Sequence, residues 1–161
     1  MKNMFFTRLL GLRDSVQEEL FSPRKENNVL VRSENRSLYT AIVRYLVSSK
    51  CYLNPDLSLS DLSKKVGSNR LYVSRAINEC SGLNFKRFLN WYRIMFAVEL
   101  INSDGRLKIS EVSKASGFNS QPTFNFAFRL VMGMAPSEYA RQISRRRLRR
   151  PGPSRTQGQV R

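Results

Sequence analysis

The sequence predicts an all-α fold in which two helix-turn-helix subdomains are joined by a central linker helix. Apolar residues between positions 38 and 142 recur three and four residues apart, as on one face of a helix. The same region contains no sustained alternation of polar and apolar residues, which is the pattern of a half-buried strand. In addition, one pattern of apolar, small and glycine residues occurs twice.

The first helix of this domain is predicted to run from Leu38 to near Cys51. Its apolar face lies 3, 4, 7 and 8 positions after Leu38, at Ala41, Ile42, Tyr45 and Leu46. The Asn-Pro-Asp segment at 54–56 is a turn signal that ends the helix. Residues 22–28 are predicted to form a linker ahead of it.

An internal repeat is the most informative feature of the chain. The pattern occurs twice with an offset of 50, as Leu59, Leu62, Ser63 and Gly67 and again as Ile109, Val112, Ser113 and Gly117. The small residue lets a second helix cross closely, and the glycine adopts the backbone conformation of a tight turn. Ser58 and Asp61 fit a capping box that opens the first copy. The repeat therefore predicts two helix-turn-helix units.

A long linker helix is predicted between the two copies. Asn84 can cap its start, and the polar segment 102–105 ends it. It carries two apolar stripes, one at Phe85, Phe88, Leu89, Tyr92, Phe96 and Leu100 and the other at Ile94, Ala97, Val98 and Ile101. Two stripes imply burial on two sides, as for a helix that packs against two units.

The charge of the chain points to a polyanionic partner. Lys and Arg total 28 and Asp and Glu total 12, which gives a net charge of +16. Residues 141–161 alone hold 8 Arg and no acid. Nucleic acid, an anionic membrane surface and an acidic protein are the partner classes that fit this imbalance.

Several chemistries are disfavoured by composition. The chain has no His, which removes the commonest general base and metal ligand, and it has no phosphate-binding loop or metal-ligand spacing. We therefore expect neither an enzyme nor a metal or cofactor site. The two cysteines, Cys51 and Cys80, are predicted to be reduced and partly buried. No apolar run approaches the length of a membrane span, so a cytoplasmic protein is expected.

Both copies carry a longer set of diagnostic residues. In the second copy these lie at 117–121 (Gly-Phe-Asn-Ser-Gln), at Phe124, at 128–129 and at 133–139 (Gly-Met-Ala-Pro-Ser-Glu-Tyr). In the first copy and the linker helix they lie at 57–67, 72–75, Gly82, Phe85, Arg93, Ala97 and 100–101. Over residues 38–142 the chain thus resembles the DNA-binding domain of AraC/XylS-type transcription regulators. The resemblance implies seven helices, with two recognition helices in successive major-groove segments of a promoter.

The recognition helix of the first unit is predicted to start after Ser68 or Asn69 and to run to about Cys80. Val73, Ala76 and Ile77 would form its core face. The candidates for reading bases are Asn69, Arg70, Leu71, Ser74, Arg75 and Asn78. Arg75 is the best of these, because arginine can donate two hydrogen bonds to guanine and the family usually has Arg here. The alternative is that these side chains are ordinary solvated groups.

The recognition helix of the second unit is predicted to begin near Asn119 or Ser120, with Phe124 and Phe128 as its core stripe. Its base-reading candidates are Gln121, Pro122, Asn125 and Phe126. Gln and Asn can each read adenine with two hydrogen bonds. Phe126 stands where the family often carries Arg; packing is the favoured interpretation for it, and contact with a thymine methyl group is the alternative.

Phosphate contacts, which position a protein without reading sequence, are expected from basic groups around both units. The candidates are Lys64, Lys65, Lys86, Arg87, Lys108, Lys114 and Arg129. Arg93, on the linker helix, is interpreted as either a structural ion pair or a phosphate clamp. The basic tail, residues 143–161, is expected to be disordered beyond its first turn, either as an arm that grips phosphates or as an inert solvated tail.

The N-terminal segment, residues 1–37, is predicted to be an amphipathic helix and linker and is too short for a small-molecule sensor domain. Phe5, Leu9, Leu12, Val16 and Leu20 lie at helical spacing, which favours a helix packed on the domain or a remnant of a longer protein over a dimerisation helix.

The function predicted from the sequence is sequence-specific regulation of transcription by a monomer or weak dimer. The expected partners are double-stranded promoter DNA and RNA polymerase, with no membrane. A general basic RNA- or ribosome-binding protein is the alternative, and a membrane-surface protein that uses residues 1–20 is a third candidate.

Overall fold

The computed structural model describes residues 25–103 and 107–148, with side chains from residue 34 onwards. Over these residues the chain forms seven α-helices, a short 3₁₀ helix at Cys51–Leu53 and no β-strand, so the predicted all-α class is confirmed. The α-helices are α1 (Lys25–Ser49), α2 (Leu59–Lys65), α3 (Arg70–Ser81), α4 (Phe85–Ser103), α5 (Ile109–Ala115), α6 (Gln121–Met132) and α7 (Pro136–Leu148).

The first helix is longer than its local sequence predicts. It begins at Lys25 rather than Leu38, so the predicted linker at 25–28 is wrong and the predicted boundary after residue 37 falls inside α1. Within the added stretch, Asn35 is buried and donates a hydrogen bond to the Glu79 carboxylate on α3 at 2.7 Å. This tertiary contact stabilises a polar stretch whose composition is typical of a loop. The apolar positions Phe5 to Leu20 lie outside the described residues.

The chain divides into two compact units. The first comprises the residues up to Lys50 together with Ser58–Phe88, and the second comprises Cys51–Leu57 together with the residues from Leu89 on. In the first unit, α1 and α2 both pack on α3. Its buried apolar side chains are Tyr39, Ile42, Val43, Leu46, Leu62, Val73, Ala76, Ile77 and Phe88.

Local capping signals define the starts of α2 and α4 as predicted. At α2, the Asp61 amide donates to the Ser58 hydroxyl and the Ser58 amide donates to the Asp61 carboxylate, each at 3.1 Å. The hydrogen bonds from Ser58 lower the pKa of Asp61. At α4, the Arg87 amide donates to the side-chain oxygen of Asn84 at 2.9 Å. Both predicted N-caps are confirmed.

The core of the second unit contains three phenylalanine rings. Its buried cluster consists of Ile94, Ala97, Ile101, Val112, Phe118, Phe124, Ala127 and Phe128. The ring of Phe124 lies 5.2 Å from that of Phe118 and 5.6 Å from that of Phe128, and Tyr139 on α7 lies 5.8 Å from Phe128. Ile143 also packs on the cluster, so the first residues of the predicted basic tail belong to α7. The tail beyond residue 148 lies outside the described range.

The Arg93 side chain binds the backbone of the segment that follows α1, which belongs to the second unit. Its side chain is only 7% exposed and donates hydrogen bonds to the carbonyl oxygens of Tyr52 (2.7 Å), Asn54 (2.8 Å) and Pro55 (3.3 Å). Its guanidinium also lies over the Phe118 ring, 5.6 Å from the centroid. Burial lowers the pKa of Arg93, and the nearby Asp56 opposes this shift. The hydrogen-bond partners of the guanidinium are thus backbone carbonyl oxygens rather than the carboxylate of a predicted ion pair, whereas the predicted phosphate clamp stays a prediction.

Gly117, in the second turn, lies in close contact with the same segment. It has a φ of +80°, and a Cβ atom added there would lie 2.6 Å from the carbonyl oxygen of Leu53. Gly67 occupies the equivalent place in the first turn with a φ of +67°, and a Cβ atom there would meet nothing within 4 Å. Both positions therefore favour glycine because their backbone is left-handed. Of the two, only Gly117 also lacks room for a Cβ atom.

This difference predicts unequal costs for two matched substitutions. Gly67→Ala should lower the free energy of unfolding by about 1 to 2 kcal/mol, the cost of a left-handed backbone for a residue with a Cβ atom. Gly117→Ala should cost about 1 to 3 kcal/mol more, because its Cβ atom overlaps with backbone that cannot move freely. Urea denaturation of both variants measures the difference, and equal losses would contradict the described approach of Leu53 to Gly117.

Replacement of Arg93 tests the carbonyl clamp. Arg93→Lys keeps the charge but cannot supply the fork of donors, so buried carbonyl oxygens lose partners. We expect the free energy of unfolding to fall by about 1 to 3 kcal/mol. Arg87→Lys, at an exposed position in the first turn of α4, is the matched control and should change it by less than about 0.5 kcal/mol. Thermal or urea unfolding measures both, and a neutral Arg93→Lys variant would show that the clamp adds no stability.

Candidate nucleic-acid interface

Each unit contains two crossed helices joined by a tight turn of the same construction. In the first, the Ser68 amide donates to the Ser63 carbonyl at 3.0 Å, and in the second, the Phe118 amide donates to the Ser113 carbonyl at 3.2 Å. Both turns pass through a glycine in the left-handed region. The small residues Ser63 and Ser113, on the first helix of each unit, are buried. The two predicted helix-turn-helix units are therefore confirmed as structures.

The second helices of the two units, α3 and α6, correspond with an offset of 51 rather than 50. Both have 12 residues and end at a left-handed glycine, Gly82 or Gly133. One residue separates the turn glycine from the N-cap Asn69, whereas two separate it from the N-cap Ser120. The repeat in the sequence thus continues through both units after a single-residue insertion in the second turn.

The buried stripes of α3 and α6 occupy the same register. The buried side chains are Val73, Ala76 and Ile77 on α3 and Phe124, Ala127 and Phe128 on α6. These stripes confirm the predicted core faces. Because each stripe is turned into the unit's own core, the opposite side of each helix is left open.

The open face of α3 holds the base-reading candidates of the first unit. Arg70, Arg75 and Asn78 are exposed, and so is Leu71 at 63%. Ser74 is half-buried. Asn69 differs from the others because its side-chain oxygen accepts the Tyr72 amide at 3.0 Å and caps the helix.

The open face of α6 differs in chemistry. Gln121 and Pro122 are exposed, and Phe126 is 71% exposed, so the expectation that Phe126 packs is wrong. Its position explains this: Phe124 and Phe128 define the buried stripe, and a residue midway between them points to the opposite side. Asn125 is half-buried, and its Oδ1 atom is buried with no hydrogen-bond partner among the described residues.

One exposed residue of this face was not predicted. Leu130 lies one turn beyond Phe126 and is 59% exposed. In the sequence this position is found by aligning α6 with α3 at an offset of 51, which pairs Leu130 with Glu79 and Phe126 with Arg75. Reading the repeat at a constant offset of 50 hides this correspondence.

The basic side chains proposed for phosphate contact are all exposed. In the first unit, Lys64 and Lys65 lie in the last turn of α2, and Lys86 and Arg87 lie in the first turn of α4. In the second unit the exposed cations of this set are Lys108, Lys114 and Arg129. Both units therefore carry exposed cations of this set, four in the first unit and three in the second.

The described residues, 25–103 and 107–148, also bear on metal binding and on membrane insertion. That part of the chain brings together no three His, Cys, Asp or Glu side chains in a way that could hold a metal ion. None of its helices combines the length and the apolar character that crossing a membrane requires. Cys51 and Cys80 are both partly buried, as predicted.

Comparison with known proteins identifies relatives of this domain. A family model described as a helix-turn-helix domain matches residues 62–142. The TCP pilus virulence regulatory protein of Vibrio cholerae is 29% identical over 93 residues, which are 55% of this chain and 33% of that protein. The chain thus spans about a third of the length of this curated relative.

Two solved structures have the same fold. One is the DNA-binding domain of AdpA, a global transcriptional factor, in complex with a target DNA; it is 19% identical, with 70% of this chain and 97% of that chain covered and a TM-score of 0.60. The other is an AraC-type transcriptional regulator from Chromobacterium violaceum, 21% identical, with 74% and 99% covered and a TM-score of 0.60. Since the family model covers half of the chain and includes both turns, the chain belongs to the AraC-type helix-turn-helix family.

Proposed function

We propose that the protein is a sequence-specific DNA-binding transcription regulator that places α3 and α6 in successive major-groove segments of a promoter. The observation that carries this proposal is the shared register of the two helices: each buries one stripe and leaves open the side that a recognition helix turns to base edges. The AdpA domain, which has the same fold, is in complex with a target DNA, and this supports the proposal.

The charge distribution supports a nucleic-acid partner. The net charge is +16. The exposed cations lie in or next to the terminal turns of α2, α4, α5 and α6, and so occur in both units. Such groups neutralise phosphates and release counterions, which gives affinity for any duplex without base preference. We assign Lys64, Lys65, Lys86, Arg87, Lys108, Lys114 and Arg129 to this role.

Base preference in the first unit is assigned mainly to Arg75. This side chain is exposed in the second turn of α3, and its planar fork can donate two hydrogen bonds to the O6 and N7 atoms of guanine. Arg70, Leu71, Ser74 and Asn78 would supply additional contacts. Asn69 positions the helix as its N-cap, since its side-chain oxygen is already bonded to the Tyr72 amide.

Base reading in the second unit is assigned to Gln121 before Asn125. A bidentate contact to adenine needs both polar atoms of the amide, and the Oδ1 atom of Asn125 is buried. Gln121 is exposed in the first turn of α6 and has no such restriction. RNA polymerase is the proposed protein partner, the nucleoid in the cytoplasm the proposed location, and no catalytic activity is proposed.

A competition experiment tests the function. Duplexes are selected from random-sequence DNA with the full 161-residue chain, and binding is then challenged with excess random duplex or RNA. A sequence-specific regulator should prefer the selected duplex by a factor of about 10³ or more. Equal affinity for random DNA and RNA would instead support the alternative, a general basic RNA- or ribosome-binding protein.

Substitution of Arg75 separates base reading from phosphate binding. Arg75→Ala should weaken binding to the selected duplex by about 1 to 3 kcal/mol and relax the preference at one base pair. Lys64→Ala is the matched control, since a lost phosphate contact should weaken binding about equally on all sequences. Titration against single-base variants of the duplex measures both effects. If Arg75→Ala weakened the affinity equally for all duplex sequences, a base-reading role of Arg75 would be contradicted.

The arginine tail is tested by truncation after Leu148. This end point keeps α7 whole, whereas a cut at residue 143 would remove Ile143 from the core of the second unit. The truncation removes Arg149, Arg150, Arg155 and Arg161. If these bind phosphates, the slope of log affinity against log salt should become shallower by roughly 0.9 for each lost contact. An unchanged slope would mean that the tail does not touch DNA.

A further inference from the structure

The open face of α6 carries an apolar stripe that α3 does not have. Pro122, Phe126 and Leu130 follow one another at intervals of four residues and therefore share one side of the helix. Phe126 is 71% exposed and Leu130 is 59% exposed. The corresponding residues of α3 are Leu71, Arg75 and Glu79, so two charged side chains are replaced by two large apolar ones.

The stripe lies in the register that the proposed function assigns to base contact. Phe126 takes the place in α6 that Arg75 takes in α3, two helical turns before the capping glycine. Gln121 precedes it and Arg129 follows it on α6, and both are exposed. Large exposed apolar side chains on a folded domain commonly mark a binding surface.

The chemistry of the major groove limits what Phe126 can recognise there. Guanine, cytosine and adenine present hydrogen-bond donors and acceptors but no methyl group on their major-groove edges, and a phenyl ring makes no conventional hydrogen bond with them. Thymine adds a C5-methyl group, which is the largest apolar group in this groove, and phenylalanine is among the side chains that contact it.

We infer that α6 recognises thymine through its methyl group, with Phe126 as the contacting side chain and Leu130 extending the apolar surface. The two halves of the target would then differ: the half under α3 would contain a guanine read by Arg75, and the half under α6 would contain thymine. Gln121 fits the same assignment, because it can read an adenine in a neighbouring A·T pair. This inference rests on the proposed function and names the base that the second unit selects.

Charge favours DNA over a second copy of this chain as the occupant of the stripe. The exposed cations of the second unit include Arg129, which is adjacent to Leu130, and Lys108 and Lys114 on or beside α5. Self-association through this face would bring like charges together in a chain of net charge +16. The phosphates that flank a major groove supply the opposite sign.

Deoxyuridine substitution tests the inference, because uracil differs from thymine only by the missing methyl group. In the duplex selected by the full chain, each thymine is replaced singly by deoxyuridine and the affinity is measured. We expect a roughly fourfold loss for each contacted methyl group, the size expected for burial of one methyl-sized apolar group. The loss should occur at one or two positions, outside the half whose base preference Arg75→Ala relaxes.

Three variants locate the effect. Phe126→Ala should bind the thymine and uracil duplexes equally at those positions, and Phe126→Leu should retain part of the difference. Phe126→Arg should shift the preference at that base pair towards G·C, since arginine pairs with guanine. Arg75→Ala should bind more weakly but keep the thymine-to-uracil ratio. Phe126 is exposed, so unchanged thermal unfolding of the Phe126 variants is expected and checks that they remain folded.

Several results would overturn the inference without touching the proposed function. One is specific binding by the wild type that is insensitive to every uracil replacement. Another is a Phe126→Ala variant that keeps the full ratio. Loss of self-association by Phe126→Ala in sedimentation, with the ratio intact, would assign the stripe to a second copy. By contrast, absence of any preference for the selected duplex over random DNA would reject the proposed function itself.

Discussion

The constraint on which the interface depends is the burial of one stripe on each recognition helix. Val73, Ala76 and Ile77 are buried on α3, and Phe124, Ala127 and Phe128 are buried on α6. Once these side chains are turned into the core, helical geometry determines which residues remain outside. The identity of the open faces is therefore a consequence of core packing, and the turn glycines and N-caps set where each helix begins.

The open faces that this burial leaves on α3 and α6 differ in chemistry. The open side of α3 carries arginines, whereas that of α6 carries Phe126 and Leu130 beside polar groups. The second unit is also held differently, since Gly117 approaches the Leu53 carbonyl and Arg93 binds three carbonyls of the segment from Tyr52 to Pro55. The two units thus share one structure but present different surfaces, which fits a DNA target with two different halves.

Much of the fold could be predicted from local sequence because local interactions decide it. The Ser58–Asp61 capping box, the Asn84 cap and the glycine turns depend on residues that lie within a few positions of one another. What the sequence could not show are contacts between distant positions. Asn35 on α1 binds Glu79, which lies 44 residues away, and the partners of Arg93 are backbone atoms about 40 residues away, which side-chain patterns do not encode.

The candidate site was predicted less completely. The open side of α3 follows from helical spacing, but the general tendency of aromatic residues to be buried led to the wrong expectation for Phe126. The correct register, an offset of 51, becomes visible only once both N-caps are located, and it also brings in Leu130. Base contacts themselves depend on the partner, so neither spacing nor burial in the protein specifies them.

We propose that α3 and α6 contact one face of a duplex in neighbouring turns of the major groove. Hydroxyl-radical footprinting on the selected duplex tests this arrangement. We expect two windows of contact whose centres lie about one helical turn, or roughly 10 base pairs, apart on the same side of the DNA. A single window, or two windows on opposite sides, would contradict it.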